Sequence, residues 1–138
     1  MTTNAAWMAA IQALTVTGVN KRFTFPPTSL NTAELPASWP QPFGVDKNSI
    51  IISCDDLNKS RTCTYYVAIE PVPQNTQAAN YEAMITMVDS LETAFDAMTV
   101  MEYVMYTIRS IIVTVAGNDY WALEATLTGS NYSAGGNE

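Results

Sequence analysis

The longest helical pattern in the chain is the stretch TQAANYEAMITMVDSLETAFDAM, residues 76–98. Its large apolar side chains recur every three or four residues, which places them on one stripe of an α-helix. They are Tyr81, Met84, Val88, Leu91, Phe95 and Met98. At ~1.5 Å rise per residue such a helix is long enough to cross a small sheet. The stripe predicts a core face packed on a sheet; a Met-rich groove for a cofactor or peptide is the alternative.

The N-terminal segment predicts a short helix followed by a strand. Within residues 4–14, Trp7, Ile11 and Leu14 share one helical face among several alanines. Gly18 follows the last turn, where glycine commonly ends a helix. Residues 19–25 then alternate in the manner of a strand.

A proline-rich segment comes next. Residues 26–44 hold five of the seven prolines of the chain, and proline disfavours both a helix and an inner strand. The large apolar residues among them argue against disorder, so we expect an ordered loop lying on its own or a neighbouring subunit's surface. The candidate assembly residues are Pro26, Pro27, Leu30, Leu35, Pro36, Trp39 and Phe43.

Residues 49–56 and 61–69 predict a β-hairpin around a four-residue loop. In that register Cys54 faces Cys63 and Ile52 faces Tyr65. In a cytosolic protein the two thiols are expected to be free and buried rather than bridged.

A second hairpin is predicted from residues 101–115 and 120–128, with a turn at 116–119. Its register sets Arg109 diagonally across from Glu124, and both of its faces carry apolar residues. The short helix or another subunit is expected to cover the second face. The whole pattern predicts one α+β domain over residues 1–128, followed by a flexible tail at 129–138. Its fold is a mainly antiparallel mixed sheet of about four or five strands, with the long helix and the short N-terminal helix packed on it.

Charge is sparse and unevenly distributed. Only 14% of residues are charged, and the net charge is −7. Residues 1–61 carry five basic and four acidic side chains, whereas residues 62–108 contain six acids and no base. This balance argues against binding nucleic acid through phosphate contacts. An ordinary solvated face and a surface that repels a passing anionic polymer both fit the acidic region.

Motifs for catalysis are missing from the sequence. The chain has no histidine, so Ser–His and Cys–His pairs are excluded, and its six glycines do not fit a phosphate-binding loop. Two cysteines without histidine do not make a structural zinc site. We therefore expect no enzyme, no cofactor and no metal. The sequence also shows neither a signal peptide nor an apolar run long enough for a membrane helix, which favours a soluble protein made in the cytosol.

The order of the segments resembles the tail terminator, or tail-completion, proteins of long-tailed bacteriophages. The likeness is carried by the N-terminal helix, the run VNKRFTFPPTSLNTAELPASWP at 19–40, the long helix, and the closing strand GNDYWALEATLTG at 117–129. The Pro-Pro…Leu-Pro loop is its most particular part.

That resemblance implies a structural virion protein of the tail or neck, assembled in the bacterial cytoplasm. Subunits of this family form a ring, here expected to be hexameric, which stops growth of the tail tube and docks the head connector. DNA passes through the channel without specific binding. Four carboxylates are candidates to line the lumen: Glu82, Asp89, Glu92 and Asp96. The alternatives are another neck or tail-tube component, or a monomeric α+β domain that binds a ligand or peptide.

Overall fold

The structure, a computed structural model, describes residues 3–41, 44–47, 59–72, 77–101 and 103–130. It contains the helices α1 (Asn4–Gln12) and α2 (Gln77–Asp96) and a 3-10 turn at Thr32–Glu34. The strands are β1 (Lys21–Arg22), β2 (Ala37–Pro40), β3 (Gly44–Lys47), β4 (Lys59–Pro71), β5 (Tyr103–Val115) and β6 (Asn118–Ser130).

These strands form one mixed sheet in the order β1-β2-β4-β6-β5, and β3 lies beside β2 on the same side of β4. Only β1 and β2 run parallel; the other described pairs are antiparallel. The predicted α+β fold with a mainly antiparallel mixed sheet is confirmed. Because β1 and β5 stand at opposite ends of the order, the described sheet has two open edges.

The long helix packs on the sheet through the predicted stripe. Met84, Leu91 and Phe95 are buried in the main core, and Phe95 meets the ring of Tyr65 edge-on at 6.1 Å between centroids. The stripe is wrong at one position, because Tyr81 remains 69% exposed. Residues 73–76, which precede this helix, lie outside the described residues.

The short helix occupies the same face of the sheet. Thr3 caps it, its Oγ1 accepting a hydrogen bond from the Ala6 amide at 3.0 Å. Trp7 and Ile11 are fully buried and Leu14 is nearly so, as the pattern predicts. Both helices and the inward side chains of β4 and β6 make one core.

Gly129 on β6 packs closely against the Trp7 ring of α1. A Cβ at this position would lie 2.8 Å from the Trp7 ring and 2.7 Å from the sulfur of Met101. We expect Gly129→Ala to lower the free energy of unfolding by about 1–3 kcal/mol, because the added methyl overpacks the core. Urea unfolding measures the change. Gly117→Ala is not a suitable control, since Gly117 has a φ of +82°; the exposed Thr126→Ala on the same strand is, and it should change stability by less than about 0.5 kcal/mol.

The predicted register of the hairpin around residues 57–60 is wrong, and its first strand, at 49–56, lies outside the described residues. One side of β4 is filled by β6, and the other side by β3 at residues 59–62 and by β2 at residues 65–68. Tyr65 therefore faces Pro40, and not Ile52 as predicted. Cys63 is free and buried; Cys54 lies outside the described residues. The local pattern identified β4 correctly but could not identify its partners.

The N-terminal strand and the proline-rich loop also differ from the prediction. The strand predicted at 19–25 is limited to Lys21–Arg22, and residues 37–40 form a strand paired on both sides. Pro36 precedes this strand and Pro40 ends it without breaking it. The amides of Lys21 and Phe23 donate to the carbonyl groups of Pro36 and Ser38, so no proline amide is needed on that side. A proline lacks an amide proton but keeps its acceptor.

The C-terminal hairpin is confirmed in type, with a tighter turn than predicted. Ala116 and Gly117 form a two-residue connection and both have positive φ, the backbone that suits the twist of a hairpin. In the observed register Arg109 lies directly opposite Glu124. The last strand runs through Gly129 and Ser130, both buried, so the predicted tail begins two residues too early. Residues 131–138 lie outside the described residues.

The second face of this hairpin is covered in part by the proline-rich segment and not by the short helix. Cover by another subunit stays a prediction. The buried residues of this second core are Leu30, Ala37, Trp39, Ala68, Val115 and Tyr120. Tyr120 donates its hydroxyl to the Leu30 carbonyl at 3.3 Å, which ties the segment to the sheet.

Candidate assembly surfaces

An apolar groove runs between α2 and the strand β5. It has a volume of about 500 Å³. Tyr81, Ile85 and Val88 line it from the helix, and Ile108 and Trp121 line it from the sheet. Ile85 is 52% exposed, although it projects from the middle of a helix that packs on the core. We call this feature the α2–β5 groove.

The helix carboxylates stand on the same flank of α2 as the groove. Successive residues of a helix are turned by ~100°, so Glu82, Asp89, Glu92 and Asp96 fall in one sector that also contains Ile85. All four are exposed. Asp96 marks the orientation, since its Oδ1 accepts a hydrogen bond from the hydroxyl of Tyr106 on β5 at 2.9 Å. The structure therefore gathers the four predicted acidic residues at the β5 edge; their place in a ring lumen stays a prediction.

The acidic residues at this edge also change the pKa of Tyr106. The hydrogen bond to Asp96 raises the pKa of Tyr106, and burial and the charges of Asp96 and Glu92 act in the same direction. Each of these effects favours the neutral phenol. The tyrosine hydroxyl thus remains a proton donor to Asp96 and links the helix flank to β5.

The opposite edge of the sheet is basic and carries one exposed aromatic ring. Lys21 and Arg22 are both exposed on β1, and Phe25, three residues on, is 68% exposed. Arg22 donates to the carbonyl of Leu14 at 3.1 Å, which anchors it at the end of α1. Lys21 lies 5.5 Å from the ring centroid of Phe23. We call Lys21, Arg22 and Phe25 the β1 edge.

A polar cluster occupies the sheet face turned away from the helices. Glu124 accepts a hydrogen bond from Arg109 Nε at 2.7 Å and another from the Tyr66 hydroxyl at 2.9 Å. Burial raises the pKa of Tyr66, and the hydrogen bond to Glu124 adds to the shift. Tyr66, Glu124 and Arg109 belong to three neighbouring strands, β4, β6 and β5, which the polar cluster therefore links. Arg109 is largely exposed, so the ion pair contributes little to stability.

The predicted assembly residues of the proline-rich segment fall into three groups. Leu30 and Trp39 are buried and Leu35 is half-buried against the same core, so these side chains pack within their own chain. Pro26 is exposed and Pro27 and Pro36 are half-buried. Phe43 lies outside the described residues. An assembly role of the segment stays a prediction, and its exposed part is next to Phe25.

Cys63 has a raised pKa of about 11, against an ordinary value of 9.0, because burial disfavours the thiolate. Its thiol donates to the Gln41 carbonyl at 3.1 Å. An unfolded chain ionises this thiol at the lower pKa, so we expect the free energy of unfolding to fall as the pH rises from 9 towards 11. Urea unfolding across that window measures the slope, and Cys63→Ala should make it shallower. An unchanged slope in Cys63→Ala would contradict the assignment.

The sequence indicated a groove along the helix stripe only as an alternative, and it did not identify Ile85 or Phe25 as exposed surface residues. Ile85 sits beside the predicted stripe, and its position four residues after Tyr81 is the one signal that could have suggested a wider apolar surface. Phe25 was read as part of a strand. The exposure of Ile85 and Phe25 depends on how the helix and β1 are positioned against the rest of the sheet. Local sequence does not encode those positions.

Among the residues that the structure describes, no three His, Cys, Asp or Glu side chains are grouped as metal ligands would be. Within the same ranges, no helix is long and apolar enough to cross a membrane. No protein-family model matches the chain, and no curated protein matches its sequence.

Proposed function

We propose that the chain is a structural subunit of a bacteriophage tail or neck. It forms a ring, hexameric by the resemblance, at the head-proximal end of the tail tube. There it ends tube growth, docks the head connector and leaves a channel for DNA. This role is structural and requires neither catalysis nor a cofactor.

One observation carries the proposal beyond the sequence resemblance. The described sheet has two open edges of unlike character, a basic edge at β1 and an acidic, apolar edge at α2 and β5. A subunit that joins unlike surfaces can continue around a closed ring, whereas a self-complementary patch stops at a dimer. The exposed Ile85 and Ile112 add apolar area at the acidic edge, of the kind that partners cover.

The experiment is light scattering after size exclusion, with and without tail tubes of the same phage, followed by negative-stain imaging. The expected result is hexamer-sized rings or tubes whose ends are capped by the protein. A strict monomer that leaves tube ends unchanged would contradict the proposal.

The α2–β5 groove favours a second candidate, a monomeric domain that binds a peptide or small apolar ligand. Its volume of about 500 Å³ and its apolar lining are typical of small-molecule sites. This candidate predicts a compact monomer in which short apolar peptides quench the fluorescence of Trp121. Because Trp7 and Trp39 are buried away from the groove, Trp121→Phe should abolish the response.

A further inference from the structure

We propose that the β1 edge of one copy docks into the α2–β5 groove of the next copy, in a head-to-tail contact. The inference rests on the proposed ring and assigns its subunit interface. It places Phe25 in the groove and Lys21 opposite the carboxylates of α2, while Arg22 stays hydrogen-bonded to the end of α1.

The apolar parts of the two edges are complementary. Phe25 is 68% exposed, and the groove that would receive it is walled by Ile85 and Trp121. A phenylalanine ring buries a large apolar area when it enters such a site. Docking would therefore remove the exposed ring and the exposed Ile85 from water together, which is the favourable term in most protein association.

The charges are complementary as well. The α2 flank carries four exposed carboxylates, and Arg109, which also lines the groove, is already paired with Glu124. The β1 edge supplies Lys21, and the exposed Arg22 adds its charge from its position at the end of α1. Opposite charges across an interface steer the partners together and fix their orientation.

Charge repulsion disfavours the simplest alternative contact, a two-fold pairing of β5 with β5. That arrangement would bring the carboxylate flank of one copy towards the same flank of its partner, and like charges facing each other across an interface cost several kcal/mol. The two edges also lie at opposite ends of the strand order, so docking one on the other leaves each copy with a free edge of each kind. Such a contact forms a ring when its rotation closes and an open filament when it does not.

Two variants that each damage one edge test the contact. Phe25→Asp removes the inserted ring, and Ile85→Asp places a charge in the groove. Each variant alone is expected to weaken self-association at least about tenfold. An equimolar mixture still has one intact pair of edges, so it should form dimers and no rings. Met105→Asp, at an exposed apolar position of β5 on the other sheet face, is the matched control and should leave rings unchanged.

A charge exchange tests the electrostatic part. Lys21→Glu and Glu92→Lys should each reduce ring formation, and a chain carrying both changes should recover it. Rings that persist in Glu92→Lys would overturn this part and favour the lumen for the α2 carboxylates, in which case genome ejection should slow instead.

All variants are compared by sedimentation velocity over a concentration series, with and without tail tubes, after circular dichroism has shown native folding. Rings formed by both Phe25→Asp and Ile85→Asp would overturn the inference and leave the proposed function standing. A wild-type chain that stays monomeric and leaves tubes uncapped would overturn both.

Discussion

Trp39→Ala is expected to lower the free energy of unfolding by about 3–5 kcal/mol. Trp39 is only 2% exposed, and its ring lies 5.8 Å from that of Tyr66 between centroids. Removing it leaves a cavity between the proline-rich segment and the sheet, which β2 by itself cannot close. Urea unfolding at low protein concentration, where the chain is monomeric, measures the loss.

Phe25→Ala is the matched control, because it removes an aromatic side chain from the same part of the chain at an exposed position. It should change monomer stability by less than about 0.5 kcal/mol. If Trp39→Ala instead left the free energy of unfolding unchanged and prevented ring formation, Trp39 would be an assembly residue, as the sequence predicts, and its packing on the sheet would be secondary.

Phe95→Ala should have an effect of similar size, about 3–5 kcal/mol. Phe95 is 1% exposed and touches the ring of Tyr65 below it and that of Tyr106 beside it. Truncation would loosen α2 at the end where Asp96 joins β5. The measurement is again urea unfolding, followed by the tryptophan signal.

Tyr81→Ala provides the comparison on the same helix. Both residues belong to the stripe predicted from the sequence, but Tyr81 is 69% exposed and should cost less than about 0.5 kcal/mol in the monomer. Equal losses for the two variants would mean that the whole stripe is buried and that the groove is closed in solution. Tyr81→Ala is also expected to weaken self-association, since the ring lines the α2–β5 groove.

Under these proposals, the buried side of α2 and its exposed flank beside the α2–β5 groove have separate roles. The buried side of the helix maintains the fold, whereas Ile85 and the carboxylates remain available for a neighbouring copy. This division explains why charges collect on one flank only. Thr86 and Ser90, on the other side of the helix, are polar and uncharged. The Ser90 hydroxyl donates a hydrogen bond to the Thr86 carbonyl at 3.4 Å.

The sequence by itself determined the elements whose signal is local. The spacing of Met84, Leu91 and Phe95 identified α2 and its buried side, and the alternation around Gly117 identified the last hairpin. These features could be predicted because helical periodicity and a tight turn involve residues close in the chain.

Only the tertiary structure decided which strands pair and which surfaces remain open. The partner of Tyr65 is Pro40 rather than Ile52, because β2 and β3 share the side of β4 that a local hairpin would have taken. In the same way, Trp39 is buried because the proline-rich segment returns to the sheet. Several strands of this chain are compatible with pairing beside β4. Which of them pairs there depends on contacts between segments distant in sequence, and a short window of sequence does not contain that information.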